Sequence, residues 1–446
     1  MPLVSTTVPS AQTEQDRNGP KATVVRWVFP RLQETSVVGR AILGRDEQCQ
    51  VVLLGDEVSR KHAELRKDGP VLAIKDLDSR NGVHVNGVKI ADAPLGNGDV
   101  VRCGEWIGVV AAVDEQADAA AARKFREVAP GLFGSERLAA ALEPARRLAN
   151  DLAVVIQGET GTGKEDAART VHAWSGRSGK FVSVNCATLS KDLADAELFG
   201  HRKGAFTGAE TSSEGLFRAA TRGSLFLDEV LEFPVPLQAK LLRALSSKRV
   251  RPVGEAHDVE VDVRVICAAQ EPLRTAVEEG RFRRDLQGRL EGLVIELPPL
   301  RARREDIAPL FCKFVRDAQG SALRIEARLI EALCLYDWPL NVRELQLLAR
   351  RLVGVHGHEG ALKRSHLPEH MLARVPVTGL SRTGEGVVAT PKQARRSTDD
   401  DSEFAALREA LRREPTMAKA AASIGISRAR AYRLVSARKG EPGDDE

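Results

Sequence analysis

The 446-residue sequence predicts a multidomain chain: an all-β sandwich, then an α/β domain with an α-helical lid, then a small all-α helix-turn-helix. Three observations predict this. Short β-type runs broken by Gly, Asp and Asn fill residues 22–113. Strands alternate with helices over 130–299, with a glycine-rich loop after the strand LAVVIQ. Residues 402–440 carry periodic apolar positions around a central Gly425. A chain this long exceeds one compact core, and its length alone favours about three domains.

In chain order, residues 1–21 read as a flexible tail without periodicity, rich in Ser, Thr and Gln. The runs TVVRWVF, TSVVGRAI, QVVLL, HAELR, VLAIKDL, GVHVNGVKI and DVVRCGEWIGVVAAV follow at spacings that suit a sandwich. An Ala/Glu/Asp-rich stretch over 114–129 is expected to be a helical or loose linker. The α/β alternation of 130–299 predicts a parallel sheet with crossover helices, and the wholly helical texture of 300–375 predicts a lid. Residues 376–401 mix Pro, Gly, Thr and charge and read as a second linker.

Composition narrows the setting. The chain is 43% apolar and 29% charged, as in globular proteins. It holds no run of about 18 apolar residues, so no membrane association is expected. The polar N-terminus lacks a secretory pattern. Six scattered cysteines, none in a zinc-type or C-x-x-C spacing, are expected to be free thiols in a reducing, cytoplasmic compartment.

The chemistry begins at Gly158-Glu159-Thr160-Gly161-Thr162-Gly163-Lys164, set between a strand and a helix as a phosphate-binding loop requires. Glycines let backbone N–H groups turn toward phosphates, and the helix N-terminus adds its dipole. Lys164 is expected at the β- and γ-phosphates of ATP; Glu165 stands where the general motif has Ser or Thr for Mg2+. On the loop alone, a glycine-rich turn with a solvated lysine is the alternative. The apolar strand Leu225-Phe-Leu-Asp228-Glu229 supplies the second element. Asp228 is placed to hold Mg2+ and Glu229 to polarise the attacking water.

With GETGTGKE (158–165), ELFGHRKGAFTGA (197–209), LFLDE (225–229), GRFRRDLQGRL (280–290), LPPLRARREDI (297–307) and WPLNVREL (338–345), residues 131–371 resemble the AAA+ domain of sigma-54-dependent activators. That family's loop also ends in Glu. The resemblance implies that Gly204, Ala205, Phe206, Thr207, Gly208 and Ala209 form the surface loop that contacts sigma-54, with Phe206 and Thr207 at its tip. It implies that Arg283 and Arg289 are arginine fingers reaching a neighbouring subunit's γ-phosphate, and that Arg343 senses the nucleotide. Asn185 matches the residue that restrains the catalytic Glu. Fingers acting in trans imply a ring, and the family forms hexamers.

There are departures from the pattern. Ala269 and Gln270 replace the Thr-Asn or Thr-His pair that reads the γ-phosphate, which leaves a nucleotide-binding DNA scaffold without productive turnover as a rival reading. Leu340 replaces a Gly, and Arg202 stands where Glu is common.

Val38-Gly-Arg40, Ser59-Arg-Lys-His62-Ala, Asp78-Ser-Arg-Asn81-Gly and Val85-Asn-Gly87 resemble a forkhead-associated (FHA) domain. Arg40 supplies a charge-assisted fork for phosphate and Ser59 a hydroxyl. Asn81 is expected to bond the peptide backbone near a phosphothreonine, with Arg60 and Arg80 adding charge at the rim. His62 is expected to bridge loops. Val83 replaces the Thr of the usual NGT triplet, a change expected to affect packing. An FHA fold used only as a docking surface is the alternative.

At the C-terminus, Thr416 to Leu434 has the shape of helix, glycine turn and helix. Ser427 is expected to cap the second helix, leaving Arg428, Arg430 and Arg433 on or near its exposed face, with Tyr432 as a further candidate DNA contact. Those arginines suit phosphate and guanine contacts in double-stranded DNA; a solvated basic hairpin is the alternative. The segment resembles the family's Fis-type helix-turn-helix. The order of domains implies an ATP-driven activator of sigma-54 RNA polymerase, tethered upstream of promoters and regulated by a phosphothreonine-bearing partner.

Overall fold

The computed structural model describes residues 21–372, apart from 70, 115–124, 149–151, 191–192 and 320–322. Its first part alternates inward and outward residues along eleven strands. These are β1 (Lys21–Phe29), β2 (Gln33–Ser36), β3 (Arg40–Gly44), β4 (Val51–Val52), β5 (Ala63–Asp68), β6 (Val71–Asp76), β7 (Val83–Val85), β8 (Val88–Ile90), β9 (Asp92–Leu95), β10 (Val100–Cys103) and β11 (Trp106–Asp114). One sheet has the order β2-β1-β11-β10-β7-β8 and the other β4-β3-β5-β6-β9.

Between the sheets Val25, Trp27, Leu43, Leu65, Ile74, Val101 and Trp106 form a core, with the Trp27 and Trp106 rings edge-on at 6.1 Å. The single run TSVVGRAI divides into β2 and β3, and Gly39 between them takes the left-handed conformation at φ 72°. Asn86 and Gly87, at φ 50° and 80°, turn GVHVNGVKI into the hairpin β7–β8.

The stretch expected to be a linker ends in structure. Phe125 stacks on Phe133, and β12 (Arg126–Ala129) pairs with β13 (Leu132–Gly134) in an antiparallel hairpin.

The α/β part follows with α1 (Glu136–Arg147), β14 (Val154–Gln157), α2 (Lys164–Trp174), β15 (Phe181–Asn185), α3 (Ala194–Phe199), α4 (Gly215–Ala219) and β16 (Ser224–Asp228). It continues with α5 (Val235–Ser247), the two-stranded ribbon β17 (Arg249–Val250) and β18 (Val259–Glu260), β19 (Arg264–Ala269), α6 (Leu273–Glu278), α7 (Arg284–Leu290) and β20 (Leu293–Glu296). The main sheet runs β15-β16-β19-β14-β20 with every pair parallel. Its central strands are apolar on both faces: β16 and β19 are buried nearly throughout. Parallel strands end together, so Asn185, Asp228, Ala269 and Gln157 converge at one edge, where ligands of such sheets bind.

The lid comprises α8 (Ile307–Gln319), α9 (Ala327–Leu335) and α10 (Asn341–His356). It is not wholly helical: Arg324–Ile325 and Ala361–Leu362 form a short parallel pair.

The sandwich and the lid share a core. The outward residues Val28 of β1, Val100 of β10 and Ile107 and Val109 of β11 belong to one buried cluster with Ile307, Phe311 and Ile330 of the lid. The larger sheet is thus apolar on both faces, unlike a free-standing antiparallel sandwich with one solvated side.

Candidate nucleotide site and phosphopeptide face

The loop after β14 owes its shape to glycines. Gly161 has φ 78°, and any side chain there would run into the Leu340 carbonyl of the lid. The Val342 N–H donates to the Gly161 carbonyl at 3.0 Å, so α10 begins directly on the loop. Thr162 is buried and its hydroxyl donates to the Glu159 carbonyl at 2.8 Å. Thr162 and Glu159 therefore serve the loop's own shape. The Glu159 carboxylate turns to the lid, where Arg301 binds both its oxygens at 2.7 and 2.5 Å, and this pairing holds its carboxyl below the ordinary range.

A cleft of about 270 Å³ opens against this loop, lined by Thr160, Gly161, Gly163, Lys164 and Glu165, by Asp228 and Glu229, and by Gln270, Arg343 and Gln346. Lys164 Nζ donates to the Gly158 and Glu159 carbonyls at 2.7 and 3.1 Å. Burial lowers its pKa, opposed by Asp228 and Glu229. Burial raises that of Asp228, opposed by the Glu229 N–H and by Lys164. Glu229 stands in the left-handed region at φ 52°, a conformation that re-aims the chain at the strand end. A lysine, two carboxylates and an arginine thus face one polar cleft. That donor set fits a nucleotide triphosphate with a hard divalent cation.

The other site residues lie where each strand and loop carries them. Asn185 is in register with Asp228, and its side chain accepts the Ala187 N–H at 2.8 Å. Ala269 is buried, and its carbonyl accepts the Gly158 N–H at 3.1 Å. Arg283 is exposed and forms a two-pronged pair with Asp285. Arg289 is also exposed, with Nη2 3.4 Å from the Leu245 carbonyl. Neither arginine lines the cleft.

The 204–209 loop folds back on itself through the Gly204 N–H to Ala209 carbonyl bond at 2.8 Å. Thr207 is exposed, while Phe206, expected to be exposed, is half-buried edge-on to His201 at 5.1 Å. A neighbouring ring, invisible in the six-residue motif, accounts for the difference.

Sequence reasoning missed Asn341, whose side chain is wholly buried. It accepts the Leu300 N–H at 2.7 Å and donates to the Thr160 carbonyl at 2.9 Å and to Glu159 Oε2 at 3.2 Å. It also missed Arg301, Arg303 and Gln346. Their only signal was position, inside LPPLRARREDI and WPLNVREL.

At the far loops of the sandwich, Arg40, Arg60, Arg80 and Asn81 are exposed and Ser59 is half-buried. The Ser59 hydroxyl accepts the Arg80 N–H at 3.0 Å, and Asn81 Nδ2 donates to the Glu57 carbonyl at 2.7 Å. His62 is fully buried and bridges loops: Nδ1 accepts the Ser59 N–H at 3.0 Å and Nε2 faces the Gly82 carbonyl at 3.4 Å. Burial keeps its pKa below the ordinary value. Val83 is buried in the core.

One cluster of metal-type residues, His356, Glu359 and His366, lies on the lid. His366 Nδ1 accepts the Lys363 N–H at 3.3 Å, which leaves Nε2 as the protonated nitrogen facing Glu359. His356 Nδ1 lies 2.7 Å from Glu359 Oε1 and His366 Nε2 lies 3.4 Å from Glu359 Oε2. No helix among the described residues is long and apolar enough to cross a membrane. Ser427, Arg428, Arg430, Tyr432 and Arg433 lie outside the described residues.

Residues 132–296 match the Sigma-54 interaction domain, 301–382 the AAA+ ATPase lid domain and 41–104 the FHA domain. The chain is 46% identical over 220 residues to "Pathogenicity locus probable regulatory protein WtsA" of Pantoea stewartii subsp. stewartii, covering 48% of this chain and 68% of that protein. It is 40% identical over 236 residues to the DNA-binding transcriptional regulator NtrC of Rhizobium meliloti (strain 1021), covering 52% of this chain and 49% of that one. The chain thus spans about half the length of that relative. The crystal structure of NtrX from Brucella abortus is 29% identical over 68% of each chain, with a TM-score of 0.49. The chain therefore belongs to the sigma-54-dependent transcriptional activators, an AAA+ ATPase family, and carries an FHA domain ahead of its sigma-54 interaction domain.

Proposed function

We propose that the protein binds DNA upstream of promoters, hydrolyses ATP as a hexameric ring and remodels sigma-54 RNA polymerase from closed to open complex, under control of a phosphothreonine ligand of its FHA domain. The observation that carries the reading is the convergence of Lys164, Asp228, Glu229 and Arg343 on one cleft. Lys164 offsets charge on the β- and γ-phosphates. Glu229 accepts a proton from the attacking water. Mg2+, when bound, would be held by Asp228 and would neutralise charge between the phosphates. Arg343, at the start of the lid helix, senses whether the γ-phosphate is present.

The exposed Arg283 and Arg289 have no phosphate to meet in their own subunit, which supports a role as fingers for a neighbour. The Phe206–Thr207 tip is the element that meets sigma-54 and moves with the nucleotide. Arg40, Ser59 and Asn81 capture the phosphothreonine, with Arg60 and Arg80 at the rim. The C-terminal arginines Arg428, Arg430 and Arg433, with Ser427 and Tyr432, contact DNA.

ATP turnover measured over a protein concentration series tests this, with wild type beside Arg283→Ala. Turnover per subunit is expected to rise with concentration and to vanish in the variant. Flat, negligible turnover in a wild type that still binds nucleotide would favour the scaffold reading that Ala269 and Gln270 raise.

A further inference from the structure

The short segment 300–306 is gripped from two sides. On one side it holds the phosphate loop: Arg301 pairs with the Glu159 carboxylate, and Arg303 Nη2 lies 3.5 Å from the Thr162 carbonyl. On the other it holds the FHA sandwich. Arg304 Nη1 donates to the Gly98 carbonyl at 3.0 Å, and Glu305 Oε1 meets Arg26 Nη1 at 3.3 Å. Arg303 and Asp306 pair at 3.7 Å with side chains 1% and 0% exposed. Arg26, only 8% exposed, also reaches Glu34 and Glu136, each at 3.1 Å. A buried guanidinium with three carboxylate partners, of which Glu305 is itself buried, has one well-defined position.

A second pair fixes the same two bodies to each other. Arg102 of β10 donates from Nε to Glu331 Oε2 of α9 at 2.7 Å, and both side chains are 7% exposed. The other Glu331 oxygen has no hydrogen-bond partner among the described residues. Removing Arg102 would therefore strand a buried carboxylate in the shared core, a change relieved by protonation of Glu331 or by loosening of the interface, and either one loses the ion pair that fixes α9 to the sandwich. From α9 the chain passes through the buried Trp338 to Asn341, and so to the loop and to Arg343.

We propose that Arg26 and Arg102 of the FHA sandwich are positioning residues of the nucleotide site: their buried ion pairs to Glu305 and Glu331 hold segment 300–306 and α9, and through them the phosphate loop and Arg343, in the geometry that binds nucleotide. This rests on reading the cleft as a nucleotide site. Its consequence is that the sandwich sets nucleotide affinity even with no phosphopeptide bound. A ligand that shifts the sandwich then acts on the lid through two named contacts, a coupling both sites can bias.

The test uses the full-length chain as wild type, Arg26→Ala, Arg26→Lys, Arg102→Ala and Arg66→Ala. Arg66 pairs with Asp92 on the opposite, exposed sheet and serves as the reference. Affinity for a fluorescent ADP, KM and kcat for ATP, and the thermal midpoint are read for each. Both alanine variants of the buried arginines are expected to weaken ADP binding at least about fivefold and to raise KM by a similar factor, near the usual range of coupling between sites. Arg26→Lys is expected to recover most of that loss, and Arg66→Ala to stay within about twofold of wild type. ADP affinity unchanged in both alanine variants, with only the thermal midpoint lowered, would make the interface a mere cover and overturn the proposal.

Should those variants not fold, hydrogen exchange on wild type decides the matter. Saturating ADP is expected to slow exchange in β1 and β10 as well as in the phosphate loop. Protection of the loop alone overturns the coupling, whereas no protection anywhere overturns the nucleotide site itself.

Discussion

Asn341→Ala removes a wholly buried side chain that, together with Arg301, ties the lid to the phosphate loop. Three hydrogen bonds go: from the Leu300 N–H at 2.7 Å, to the Thr160 carbonyl at 2.9 Å and to Glu159 Oε2 at 3.2 Å. Asn341 is 0% exposed, so the groups left behind gain no ready access to water. A stranded buried N–H costs about 1–3 kcal/mol, and the lost bonds to Thr160 and Glu159 add about 1 kcal/mol each. Asn341 also sits at φ 53°, where Asn is tolerated and Ala pays about 1 kcal/mol more. The sum is roughly 3–5 kcal/mol once partial relaxation is allowed. That corresponds to a fall in midpoint of roughly 6–20 °C for a domain of this size. Thermal unfolding followed by tryptophan fluorescence reads it, since Trp338 is buried three residues away. Asn341→Gly separates the two contributions, because glycine meets the left-handed backbone without strain and should recover about 1 kcal/mol. An alanine variant within about 1 kcal/mol of wild type, or a glycine variant no better than alanine, would refute the reasoning.

Three further outcomes are expected. Glu229→Gln should lower ATP turnover by about 10²–10⁴ while fluorescent ADP still binds, measured by a coupled assay and a titration. Arg40→Ala should weaken binding of a phosphothreonine peptide by about 10- to 100-fold, read by fluorescence polarisation, because it removes a charged hydrogen-bond donor. His84 is buried and held down to about 4, first by burial and then by the Arg102 charge. Because its folded pKa lies below the unfolded value near 6.5, the unfolded chain takes up the extra proton. The stability it contributes is therefore present above about pH 6.5 and lost as pH falls through about 4. Between pH 7 and pH 5 the loss should be about 2 kcal/mol in denaturant titrations, and His84→Gln should flatten that slope.

What could be read from the sequence was chemistry held in short stretches. GETGTGKE and LFLDE carry their geometry locally, through glycine conformations and a strand end, and the structure brings them to one cleft. The loops around Ser59 and Asn81 were legible for the same reason. What depended on distant partners was not. Arg26 and Arg102 sit in β-type runs and were not singled out, because nothing local says that a helix 229 positions after Arg102 will supply Glu331. Asn341 was passed over beside Arg343, since its three partners lie 41, 181 and 182 residues away. Phe206 was read as exposed because the six-residue motif does not contain His201, whose ring lies beside it. The strand at Arg126–Ala129 hid in a stretch whose composition suits a linker, and only the stacking of Phe125 on Phe133 and the pairing with Leu132–Gly134 reveal it.

The apolar face shared by the larger sheet and the lid bears on how such chains can be recombined. Domains strung on linkers can be exchanged or excised with little penalty, because each closes its own surface. Here the cut would fall through a common interior. A fragment beginning after residue 125 would lay bare Ile307, Phe311 and Ile330, and the sandwich alone would lay bare Val28, Val100, Ile107 and Val109. Each piece would carry a greasy patch of the kind that drives self-association. Sandwich and lid thus close each other's surfaces, and a foreign domain grafted onto this lid would need to bring matching apolar residues and two arginines with it.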